Sequence, residues 1–87
     1  MRTVKLNFPF NVDGKEITEL KCRRLTVGDR RKAVSAYSSE VEQEIALVGY
    51  MTGLNPEDVD MIDAGDYSDI QEVLTDFLTP VSRQQKA

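Results

Sequence analysis

Eighty-seven residues, 40% of them apolar and 30% charged, make one small globular domain whose thin core favours burying surface against a partner. There is no histidine and no tryptophan, and the single cysteine, Cys22, excludes an internal disulfide. The net charge of −4 hides a division: residues 1–32 hold nine Lys/Arg against four Asp/Glu, whereas residues 33–82 hold eleven acids and no base. Opposite fields steer association, so the two halves are expected to meet, within one molecule or between copies.

Val4, Leu6, Phe8 and Phe10 alternate with Thr3, Lys5, Asn7 and Pro9, the period of a half-buried strand. A turn follows, then a second strand to about Arg24, giving a hairpin over 3–24. A two-residue Asp13-Gly14 loop would set Leu6 opposite Lys21 and Phe8 opposite Glu19. A three-residue loop, Val12-Asp13-Gly14, instead pairs Leu6 with Leu20, Val4 with Cys22 and Phe8 with Thr18, and is the expected register. Gly14 is then left-handed.

Thr26 with Asp29 caps a helix over about 27–37, with Val27, Val34 and Tyr37 inward and Arg30, Arg31 and Lys32 outward. Ser39 with Glu42 is a capping box for a helix over about 40–52, which Gly53 ends. Asn55-Pro56-Glu57-Asp58 restarts the chain for a helix over about 56–62. Asp66, with Asp69 three residues on, is the expected cap of the last helix, about 67–78. Its stripe is Tyr67, Ile70, Val73, Leu74, Phe77 and Leu78, and Pro80 closes it. The fold class is α+β: an N-terminal β-hairpin followed by a small bundle of about four short helices, one domain over 1–78, with 79–87 a flexible tail. The expected core is Leu6, Phe8, Leu20, Ile45, Val48, Leu54, Ile62, Ile70, Leu74 and Phe77.

Little catalytic chemistry is legible. The commonest general base is missing, and Cys22 has no histidine beside it to lower its pKa, so it reads as a small buried hydrophobe. Asp58, Asp60, Asp63, Asp66 and Asp69 break the calcium-loop pattern twice, because the sixth residue from Asp58 is Asp63 and the twelfth is Asp69. Helix starts account for these acids, and no metal or other cofactor is expected. Lys21, Arg23, Arg24, Arg30, Arg31 and Lys32 form a basic patch over 21–32. It supports an alternative reading as a small nucleic-acid-binding regulator. Against that stand the pI of about 4.7 and the lack of aromatics among the bases. No leader pattern or membrane-length apolar run is seen, and a reducing cytoplasm is the expected compartment.

From about Val4 to Leu78 the chain resembles the tail assembly chaperones of contractile-tailed bacteriophages. The resemblance rests on Val12-Asp13-Gly14-Lys15 with Ile17-Thr18-Glu19-Leu20, then Arg23-Arg24-Leu25-Thr26-Val27-Gly28-Asp29. It continues through Glu44-Ile45-Ala46-Leu47, Met51-Thr52-Gly53-Leu54-Asn55-Pro56-Glu57-Asp58-Val59, Ile62-Asp63, Asp66-Tyr67 and Ile70-Gln71. These are caps and turns, so they identify a fold more firmly than a site. The resemblance implies a non-enzymatic phage or prophage protein of the host cytoplasm, not retained in the mature virion. The resemblance further implies that such a protein holds the tape measure protein soluble and assists tail tube assembly. The implied partners are the tape measure protein and the tail tube protein; self-association into a homo-oligomer is a further expectation, from the short chain, the free hairpin edge and the charge division. A chaperone for a long amphipathic helix must leave apolar area exposed, and Tyr67, Phe77 and Leu78 on the last helix are the expected partner-binding residues.

Overall fold

The computed structural model describes residues 2–81. In order these are strands β1 (Arg2–Val12) and β2 (Lys15–Cys22), then helices α1 (Val27–Ala36), α2 (Glu40–Thr52), α3 (Pro56–Val59) and α4 (Ala64–Leu78). The strands form an antiparallel two-stranded sheet. Helix α4 packs on β1 and α2 on β2, and the two helices touch each other, while α1 and α3 lean on α2. This is an α+β fold. It measures 39 × 34 × 19 Å, and the short dimension is one sheet layer plus one helix layer.

The core lies between those layers. Val4, Leu6, Phe10, Leu20 and Cys22 from the sheet meet Val48, Met51, Ile70, Val73 and Leu74 from the helices. Burying each large aliphatic side chain contributes about 1.5–3 kcal/mol. A two-stranded ribbon is marginal alone, and this helical cover is what makes it stable. Ile45, Leu54 and Phe77, expected in the core, are half-buried at its margin. Phe8, also expected there, is 63% exposed.

The position of Phe8 follows from the register, which is not the expected one. Val12 pairs with Lys15, so the loop has two residues, and Asp13 (φ 51°) and Gly14 (φ 80°) are both left-handed. That backbone twist suits a tight hairpin. Carried through, this register would set apolar side chains against charged ones. The strand avoids that with a bulge: between Lys5↔Glu19 and Phe10↔Ile17, residues 6–9 of β1 lie opposite Thr18 alone. Beyond it Val4 pairs with Leu20 and Arg2 with Cys22, in place of the expected Val4–Cys22 and Leu6–Leu20 pairs. Pro9, which has no N–H to give a ladder, sits inside the bulge.

Asp66 holds the bulge. Its carboxylate is 1% exposed and accepts from the Asn7 N–H and the Phe8 N–H, both at 3.0 Å. It is therefore not the cap of the last helix. That role belongs to Asp63, which accepts from the Gly65 and Asp66 N–H groups, so α4 starts at Ala64 rather than Tyr67. Helix α3 ends at Val59, before the expected residue 62, in tight turns donated by Met61 and Ile62. Gly53 (φ 80°) ends α2 as expected, and Ser39 accepts from the Glu42 N–H at its start.

Helix α1 has the expected capping box of Thr26 and Asp29, but its rotation differs. Asp29 and Ala33 face inward, whereas Val27 and Val34, expected inside, are 79% and 62% exposed. The cause is Asp29, whose carboxylate is drawn inward by the Arg23 guanidinium and the Thr26 N–H. From the expected tail over 79–87, residues 82–87 lie outside the described residues.

Candidate partner interface

Helix α4 presents three sides. Ile70, Val73 and Leu74 are buried against the sheet and α2, and belong to the core. Tyr67 stands on a second side, toward α2. Its hydroxyl donates to Glu44 Oε2 at 2.8 Å, and Gln71 Nε2 donates to the same oxygen at 3.1 Å. Burial pushes the Tyr67 phenol well above its ordinary range, and the Glu44 carboxylate adds to the shift. The hydrogen bond to Glu44 is what anchors the ring beside α2.

Tyr67 lines an open groove of about 500 Å³ between α2, α3 and α4, together with Val41, Glu44, Ile45, Asp60, Ile62 and Gln71. Val41 is 67% exposed at its edge. The groove thus combines apolar and acidic groups and holds no base.

Phe77 occupies the third side, toward the hairpin. Its half-buried ring lies beneath two guanidinium groups, Arg24 at 5.1 Å and Arg2 at 5.9 Å from the ring centre. Arg2 also pairs with Asp76 at 2.8 Å, a contact that joins the basic and acidic halves of the chain. Leu78, next along, is 38% exposed. The three residues expected to bind a partner are thus divided: Tyr67 in the groove, Phe77 and Leu78 at the far end of α4.

On α1, sequence reasoning found the outward Arg30 and Arg31 of the basic patch but not that Val27 and Val34 share their face. Val27, Arg30, Arg31, Val34 and Ser35 line a shallow, basic depression of about 350 Å³. The spacing from Val27 through Arg30 and Arg31 to Val34 is that of one helical face, which was the available signal. Three other bases of the 21–32 patch are engaged within the molecule. Arg23 forms a two-pronged pair with Asp29, Arg24 covers Phe77, and Lys32 lies 5.5 Å from the centre of the Tyr50 ring. The Asp29 carboxyl is held far below its usual range, first by Arg23 and then by the Thr26 N–H.

Cys22 is fully buried, and burial pushes its thiol above the ordinary value. Among the described residues, no group of three or more His, Cys, Asp or Glu is placed to hold a metal ion. No helix among them is long and apolar enough to cross a membrane.

Neither the curated proteins nor the solved structures searched give a match. A family model described as "Phage tail assembly chaperone proteins, E, or 41 or 14" matches residues 3–79, from the first strand through the end of α4. The chain belongs to the phage tail assembly chaperone family.

Proposed function

We propose that this protein acts in the host cytoplasm by binding the tape measure protein, keeping it soluble while tail tube subunits assemble around it. The observation that carries the reading is the family match over 3–79, which takes in every element of the fold. A tail assembly chaperone works through protein partners, and a tape measure protein is a long helical chain whose apolar face needs cover until assembly. The half-buried Tyr67 and Phe77 and the exposed Leu78 supply apolar contact on α4 beyond what the core uses. A non-enzymatic role is supported by the family match and by the burial of Cys22, which keeps its thiol protonated and out of reach of a substrate. The nucleic-acid reading is weaker, because Arg23, Arg24 and Lys32 are already engaged by Asp29, Phe77 and Tyr50.

The test is co-expression with a tagged tape measure protein, followed by capture and thermal melting of each variant. Leu78→Gln, at a position 38% exposed, is expected to cost about 1 kcal/mol of stability and to weaken capture by more than that loss explains. Phe77→Ser is expected to weaken capture further while also lowering the melting temperature. Capture by both variants at the native level contradicts the assignment of this edge.

A further inference from the structure

The outer face of α1 and the groove between α2, α3 and α4 carry opposite chemistry on one chain. On α1, Val27 and Val34 stand exposed seven residues apart, about 10 Å along the helix, with Arg30 and Arg31 between them. Exposed valines on a ten-residue helix do nothing for its own packing. The groove offers Val41, Ile45, Ile62 and Tyr67 as apolar lining, with Glu44 and Asp60 as its charged groups.

We propose that the α1 ridge of one copy docks into the α2–α3–α4 groove of a second copy. Charge selects this pairing. Two ridges face to face would oppose arginine to arginine, and two grooves would oppose acid to acid. Only ridge to groove places Arg30 and Arg31 against Glu44 and Asp60 while the valines enter the apolar lining. Such a contact uses different surfaces on the two copies, so each addition leaves one ridge and one groove free unless a ring closes. The contact lies between copies of this chain and is measured on the purified protein alone. The two contacts share Tyr67 and would compete for it, but failure of self-association is read separately from failure of tape measure binding.

The experiment uses sedimentation velocity on the full chain and on two variants altered only at exposed positions. One carries Arg31→Glu with Val34→Asp on the ridge; the other carries Asp60→Lys with Val41→Lys at the groove. The native chain is expected to associate in low salt, roughly tenfold more weakly near 0.5 M salt, as screening shortens the reach of the charges. Each variant alone is expected to be monomeric. An equal mixture is expected to give dimers, because one variant keeps its groove and the other its ridge. Circular dichroism checks that both fold. Should either lose its fold, Arg31→Glu and Asp60→Lys replace them, monomeric singly and associating when both are placed in one chain. A native chain monomeric at millimolar concentration, a variant that associates like the native chain, or a mixture that stays monomeric overturns the proposal.

Discussion

Asp66 serves two backbone N–H groups at once, one on each carboxylate oxygen. Asp66→Asn replaces one acceptor with an amide N–H that opposes another N–H. Asp66→Ala leaves both donors without a partner. Each is expected to cost on the order of 3 kcal/mol in urea denaturation, with Asn no better than Ala. An Asn variant of native stability would show that the bulge does not depend on this carboxylate. Asp29 is the second decisive residue. Its folded-state pKa lies below the unfolded value of about 4, so its contribution is complete above that pH and is lost as pH falls further. The urea midpoint of the native protein is expected to drop between about pH 5 and pH 2, and that of Asp29→Asn to start lower and fall less steeply. Parallel acid limbs for the two proteins would contradict the pairing with Arg23.

At the scale of elements, the features legible in sequence are those closed within a few residues. Thr26 reaches Asp29 three positions on, Gly53 stops α2, and Asn55-Pro56 opens α3. What escaped notice depends on distant partners. The bulge in β1 is held by a residue 59 positions away from Asn7, so alternation alone placed Phe8 in the core. Likewise α1 is rotated by Arg23, outside the helix, which the helical periodicity of its valines does not register. Gly49 is another such position. It lies inside α2, where alanine normally adds helix stability, yet a Cβ there would stand 2.8 Å from the Leu54 carbonyl oxygen. Gly49→Ala is therefore expected to lower the melting temperature, reversing the usual sign, because the turn after α2 closes directly over this residue. At Gly14, with φ of 80°, a β-branched substitute meets left-handed strain. Gly14→Val is expected to cost about 1 kcal/mol or more by the same thermal assay.

Taken whole, the molecule is a slab one sheet and one helix layer deep, with nine of its eleven bases in the first 32 residues and with Glu44 and Asp60 as the charged groups lining the groove. The charge division read from the sequence is only partly used inside the fold, at the exposed Arg2–Asp76 pair, worth no more than about 1 kcal/mol. Much of it remains on the surface for association. The candidate partner surface was the least legible feature, because the stripe of α4 serves core, groove and hairpin at once, and only packing divides them. The role proposed for this chain is to keep a tape measure protein soluble. Its most direct measurement is the soluble fraction of that protein produced alone and with this chain at matched levels. The account predicts that it is largely insoluble alone and recovered in a soluble complex with the chaperone. A soluble fraction that does not change, with no complex recovered, would contradict it.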